Sequence, residues 1–359
     1  MILYHCTSVH SQPLILSSYR RFQLMRFAIE EINNSTSLLP NVSLGYEIFD
    51  HCSDTQNIPN ILNLMSDDGR IQPWSDSYKN LSKLIAVVGT YTSTETRTVA
   101  PFFMMDRVPM ISYGASSSIF SRKKDFPSFL RTLHPNQDVI KMVVKILQYF
   151  GWRWVSFLYI DDDYGSDGRY LFLKEINDTD ICLAYSKGLD DNTDYHKVLR
   201  QIEFLGVNVV IVFAAEWTAE RLIRSAIQHN INKVWIAGDG WSLHKKLPKE
   251  KGIEKIGTVL GVAERIVPVP GFRDFLHSFK TKIWYGDVEQ TSCNQNCSCS
   301  SVTAEDVIAA DPSFSFPVYA AVYAIAHALH NVLQCGAGRC NRSITAHPQM
   351  VSMENNYFI

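Results

Sequence analysis

Four polar segments carry the residue types that could hold a small ligand. Ser112-Tyr-Gly-Ala-Ser-Ser-Ser118 offers hydroxyls and backbone N–H groups where the pattern predicts a strand running into a helix. Donors at a helix start make an anion site, and Gly114 and Ala115 would let a ligand approach the backbone closely. The same serines would serve equally as a helix N-cap, and the two roles are compatible. Asp239 stands between two glycines in Gly238-Asp-Gly-Trp241. Its carboxylate could hold an ammonium group, assisted by the ring face of Tyr164, or it could organise its own turn. Asp161-Asp-Asp-Tyr-Gly165 lacks the ligand spacing of a calcium loop and reads as a solvated acidic turn. Thr90-Tyr-Thr-Ser-Thr94 is the fourth segment.

Enzymatic signatures are missing. The chain has no GxGxxG, P-loop, HExxH or GxSxG motif. Its eleven histidines are scattered, and His327, in Tyr323-Ala-Ile-Ala-His-Ala-Leu329, reads as a core histidine on an apolar helix rather than a base. The expectation is therefore no enzyme, no cofactor and no metal. Lys and Arg number 34 against 36 Asp and Glu, a net charge of -2. That balance argues against nucleic-acid binding, which calls for a basic excess. Hydrophobic residues at 46% supply ample core for roughly two domains. No run of about 18 apolar residues occurs; the stretch Phe316 to Leu329 is too short and carries His327.

Eight cysteines and seven Asn-x-Ser/Thr acceptors bear on the compartment. Cys293, Cys297 and Cys299 place three thiols in seven residues, yet Cys335 and Cys340 do not complete a zinc-knuckle spacing. Disulfides are the preferred reading. The acceptors at Asn33, Asn34, Asn41, Asn80, Asn177, Asn296 and Asn341 point with them to an extracellular, oxidising setting. Met1 to Cys6 lacks a basic region followed by a long apolar one, so it is not read as a signal peptide; an incomplete gene model is the expectation.

The elements that must position these segments follow from periodicity. Helices are predicted over Phe22–Ile32, Val99–Met105, Val139–Phe150, Arg169–Ile176, His196–Phe204, Ala219–Gln228 and Val318–Leu333. Strands are predicted at Val42–Phe49, Ile85–Val88, Pro109–Tyr113, Trp154–Ile160, Ile181–Tyr185, Val207–Phe213 and Val234–Ala237. Trp284 to Asp311 reads as a disulfide-pinned surface loop. Two successive β/α series fit two doubly wound α/β domains with parallel sheets. Ligands in such sheets sit beyond the carboxyl ends of the strands, and all four polar segments fall there.

Longer runs carry a family resemblance. Phe27-Ala-Ile-Glu-Glu-Ile-Asn-Asn-Ser35, Leu44-Gly-Tyr-Glu-Ile-Phe-Asp50, Ala86-Val-Val-Gly89, Pro109-Met-Ile-Ser-Tyr113, Pro127-Ser-Phe-Leu-Arg-Thr132, Asp161-Asp-Asp-Tyr-Gly165 and Ala320-Ala-Val-Tyr-Ala-Ile-Ala-His-Ala-Leu329 occur in order. Together they resemble the ligand-binding region of class C G protein-coupled receptors. Asn33-Asn-Ser-Thr-Ser-Leu-Leu-Pro40, Gly257-Thr-Val-Leu-Gly-Val-Ala263 and Val267-Pro-Val-Pro-Gly-Phe272 are most similar to the type 1 taste-receptor branch.

The resemblance implies a two-lobed, periplasmic-binding-protein-like Venus flytrap, incomplete at its C-terminus. Lobe 1 would comprise residues 1–134 and 266–340, lobe 2 residues 135–265, with residues 341–359 unplaced. It implies an L-amino-acid ligand whose α-carboxylate meets Ser93, Ala115 and Ser116, and whose ammonium meets Tyr164 and Asp239. Asn136 stands where many members have an acidic residue. Ser313-Phe-Ser-Phe316 lacks the lysine of glutamate-binding members, although Arg20 or Arg21 could meet an acidic side chain; a glutamate preference is not supported. Pairings Cys6–Cys52 and Cys335–Cys340 are implied, with two of Cys293, Cys297 and Cys299 joined and Cys182 bridging to a cysteine-rich domain outside this chain. Glycosylation would fall on Asn34, Asn41, Asn80, Asn177, Asn296 and Asn341. The implied partner is a second class C subunit, in a homo- or heterodimer at the extracellular side of the plasma membrane, with G protein engaged only through a membrane domain. A soluble secreted binding protein or non-signalling decoy is the alternative.

Overall fold

The computed structural model describes residues 15–46, 84–278 and 302–355. They fall into two compact units: unit 1 within Met1–Ala115, Arg122–Leu133 and Ile266–Ile359, and unit 2 in Ser116–Ser121 and His134–Arg265.

Unit 1 is built on two long helices and a parallel sheet. Helix α1 (Leu16–Asn33) buries Leu24, Met25, Ala28, Ile29 and Ile32, an apolar face of helical period. Strands β1 (Val87–Val88) and β2 (Met110–Ser112) flank helix α2 (Ser93–Met105), and β3 (Phe129–Arg131) completes the order β1-β2-β3. The apolar run predicted α2 only from Val99. It starts earlier because Thr92 and Glu95 form a reciprocal capping box, which satisfies two otherwise orphaned N–H groups. No strand forms over residues 42–46. There the side chain of Asn33 takes both backbone groups of Leu44, as donor at 3.1 Å and acceptor at 2.7 Å, in place of a neighbouring strand. Residues 47–49 of that predicted strand lie outside the described residues.

Unit 2 carries a five-stranded parallel sheet. Along the chain it reads helix α3 (Asn136–Tyr149), β4 (Trp154–Ile160), α4 (Asp163–Ile176), β5 (Cys182–Leu189), α5 (Tyr195–Phe204), β6 (Val209–Phe213), α6 (Glu216–Gln228), β7 (Lys233–Ala237) and β8 (Gly257–Gly261). The sheet order is β5-β4-β6-β7-β8. Successive side chains alternate across a strand, so β6 serves two cores. Val209, Ile211 and Phe213 pack with α3 and α4, while Val210 and Val212 pack with α5 and α6. Helices on both faces explain why β6 is apolar throughout.

The remaining elements belong to unit 1: α7 (Phe272–Ser278), α8 (Ala304–Ala309), α9 (Ser315–Val332) and α10 (Pro348–Asn355). Helix α9 packs on α1 and α10. Residues 341–355 of the segment left unplaced by sequence thus belong to unit 1, with Val351 fully buried; residues 356–359 lie outside the described residues. Helix α8 falls inside the predicted loop Trp284–Asp311, held by a capping box between Thr303 and Asp306; residues 279–301 of that loop lie outside the described residues. His327 is exposed, which corrects its reading as core. It lies on the side of α9 that carries Tyr319 and Tyr323, opposite the buried face of Val318, Ala321, Val322 and Ile325. Among the described residues no helix is long and apolar enough to cross a membrane.

Candidate functional site

In unit 2 the polar residues gather beyond the carboxyl ends of β4, β6 and β7. Asp162 ends the turn after β4 and caps α4, its Oδ1 accepting from Gly165 N at 2.8 Å. Burial raises its carboxyl to a pKa of about 6, against the opposing effect of the backbone donors. The cap sets Tyr164 in the first turn of α4. The Tyr164 ring stacks on Phe213 of β6, with centroids 4.3 Å apart and planes 16° apart. Gly168, one helical turn on, makes room for that stack: a Cβ there would stand 2.3 Å from Phe213 Cε1.

So held, the Tyr164 hydroxyl donates to Asp239 Oδ1 at 2.6 Å. The sequence suggested the ring face of Tyr164 as a cation–π partner for the ammonium; in the structure the hydroxyl bonds Asp239 and one ring face is covered by Phe213. Asp239 follows β7 and is only 7% exposed. Gly240 beside it lies against the chain leaving β6, where a Cβ would fall 2.6 Å from Ala214 O. The other carboxylate oxygen, Oδ2, is 3.9 Å from His134 Nε2, which is also 3.2 Å from Glu264 Oε1.

Asn136 is fully buried at the start of α3. Its Nδ2 donates to Tyr164 O at 3.1 Å and Asp167 Oδ2 at 2.8 Å, and its backbone N–H donates to Ser116 O at 2.8 Å. Asn136 thereby fastens the turn that bears Tyr164. Asp167 also accepts from Ser118 N at 2.8 Å and from the Ser118 hydroxyl.

Several donors of the serine-rich turn have partners within the chain. The residues after it form a four-residue 3-10 turn, Ser118–Ser121, not an α-helix, and its Ser118 donors are occupied by the chain's own carboxylate. In unit 1 the Ser112 hydroxyl donates to Thr90 O at 2.7 Å and accepts from Ala115 N at 2.9 Å and Gly114 N at 3.3 Å. Two further N–H groups are thus taken locally. Ser93, Ala115 and Ser116 are all buried.

Ser93, Ala115 and Arg21 belong to unit 1; Ser116, Asn136, Tyr164 and Asp239 belong to unit 2. Within unit 1, Tyr91 lies against Arg21 and Gly114. Arg21 lies over its ring, Cζ 4.1 Å from the centroid, and Gly114 sits so close that a Cβ would stand 2.3 Å from Tyr91 O. Arg21 also donates to Ser18 Oγ at 3.1 Å. Arg20 is committed elsewhere, to the carbonyls of Val307 and Ile308 and to Ser315 Oγ.

Cys335 and Cys340 are disulfide-bonded, and Cys182 is an exposed free thiol. Cys6, Cys52, Cys293, Cys297 and Cys299 lie outside the described residues, as do Asn80 and Asn296. Asn34, Asn41, Asn177 and Asn341 are exposed. Among the described residues no cluster of three or more His, Cys, Asp or Glu could hold a metal ion. Sequence reasoning missed His134, Glu264 and Asp167. A polar residue entering a helix after a strand end was the available signal for His134; nothing in the spacing joins it to Glu264.

A family described as "Receptor family ligand binding region" matches residues 21–356. Taste receptor type 1 member 1 from Homo sapiens is 35% identical over 90% of this chain and 40% of its own length. The same receptor from Mus musculus is 33% identical over 96% of this chain and 44% of its own. Taste receptor type 1 member 2 from Homo sapiens is 31% identical over 91% and 41%. The chain therefore spans less than half the length of these relatives. The family and these relatives are receptors, not enzymes.

Proposed function

Because this chain belongs to the receptor family ligand-binding region, we propose that it is the extracellular amino-acid-sensing region of a class C G protein-coupled receptor of the type 1 taste branch. The observation that supports this best is the buried Asp239 carboxylate, held by the Tyr164 hydroxyl at 2.6 Å. A desolvated, oriented carboxylate is what an α-ammonium group needs. Ser93, Ala115 and Ser116 are the proposed contacts of the α-carboxylate, and Arg21 is a cation available to the ligand's side chain.

In this reading unit 1 and unit 2 are the two lobes, and an L-amino acid favours their closed arrangement by its differential affinity for it. Only that difference can shift the population and drive signalling. A second class C subunit would transmit the shift in a dimer, and G protein would respond through a membrane domain outside this chain. The exposed acceptors Asn34, Asn41, Asn177 and Asn341 fit a glycosylated extracellular surface.

The test is ligand-induced thermal stabilisation of the purified chain. An amino acid at about a hundred times its Kd stabilises by about 2.7 kcal/mol. Asp239→Ala or Ser116→Ala should abolish the shift while leaving a cooperative melt. An undiminished shift in both variants would refute the proposed site.

A further inference from the structure

His134 stands just ahead of α3, and neither it nor its neighbour Glu264 is used by the amino-acid reading. Its Nε2 lies 3.2 Å from Glu264 Oε1, beyond β8, and 3.9 Å from Asp239 Oδ2, beyond β7. Its Nδ1 is buried with no hydrogen-bond partner among the described residues. The ionisable groups facing the imidazole are these two carboxylates and, behind Asp239, the Tyr164 hydroxyl, which is bonded to Oδ1. The two oxygens of Asp239 thus have different company. Oδ1 holds a neutral donor, and Oδ2 faces the imidazole edge that is shared with Glu264.

We infer that His134 is a positioning residue that makes the recognition of an ammonium group by Asp239 depend on pH. The inference rests on the amino-acid reading and adds its regulation. A neutral imidazole leaves the charge of Asp239 available to the ligand. An imidazolium places a positive charge near the same carboxylate, with Glu264 favouring that form, and competes with the ligand's ammonium. The sign follows: an imidazolium beside Oδ2 opposes an incoming ammonium, so acid weakens binding; Asp162, its pKa raised to about 6, also takes up a proton in this window, and the imidazole's share is the part of the loss that disappears with His134.

The experiment is calorimetric titration of the full chain with each of the twenty common L-amino acids, at pH 7.5 and pH 5.5. Those that bind at pH 7.5 should bind about tenfold more weakly at pH 5.5. His134→Gln cannot take up the proton and should lose clearly less affinity on acidification than the unmodified chain, the remainder being the share of Asp162. Glu264→Gln removes the partner that favours the imidazolium, so its loss of affinity should begin at lower pH than in the unmodified chain. A His134→Gln profile matching the unmodified chain, or affinity that rises on acidification, would overturn the inference. Absence of binding by every amino acid at pH 7.5 would overturn the amino-acid reading beneath it.

Discussion

At the scale of single residues, Asp239 is a carboxylate with only 7% of its side chain in contact with solvent. Such a group is tolerated only when donors compensate its lost hydration, and the Tyr164 hydroxyl is the short, direct one. Removing that hydroxyl leaves the ring free to keep its stack on Phe213. Tyr164→Phe should therefore fold normally and lose about 1.5–3 kcal/mol of stability, since a hydrogen bond to a charged group is worth that order. Its amino-acid affinity should fall about tenfold, because Asp239 is no longer oriented. Melting curves and titration calorimetry measure the two effects separately; unchanged affinity would mean that the hydroxyl only supports the fold. The approach of Tyr164 to Asp239 was partly legible in the sequence, since both follow apolar strands. The hydroxyl contact was not, because it depends on which way the ring turns once Phe213 lies beneath it.

Elements place these residues through close approaches. Helix α4 comes so near β6 at Gly168 that any Cβ would meet Phe213. Phe213 is fully buried and packed on Phe157 as well as Tyr164, so it has little room to yield. Gly168→Ala should cost about 1–3 kcal/mol by overpacking. It should also weaken amino-acid binding, since a shifted Phe213 moves Tyr164 with it. A variant destabilised to that extent with unaltered affinity would show that the stack does not position the site.

The same scale explains what pattern reading found and missed. Trp154–Ile160 and the apolar run through Phe213 were legible because a strand covered on both faces must be apolar along its length. Strand β3 has only three residues, Phe129–Arg131, too few for any period to register. Strand β8 is mostly exposed, with glycines at both ends, so it carries no burial pattern. The early start of α2 was written in Thr92 and Glu95, a capping signal that outweighs the absence of apolar residues in the first turn. Asp239 and Glu264 reach the same imidazole because β8 lies next to β7 in the sheet, and strand order is not readable from local sequence.

At the scale of the whole molecule, the two β/α series and the family match over residues 21–356 describe a receptor ligand-binding region. Its near-neutral charge balance suits a small zwitterionic ligand better than a polyanion. The central claim is that both α-groups of a free amino acid are recognised. The measurement that tests it most directly is titration of the purified chain with free L-amino acids alongside their N-acetyl counterparts. Acetylation removes the positive charge and leaves the buried Asp239 without a cationic ligand group to hold. The account predicts binding of free amino acids and at least about a hundredfold loss on acetylation. Equal binding of the two forms, or none by the free amino acids, would contradict it.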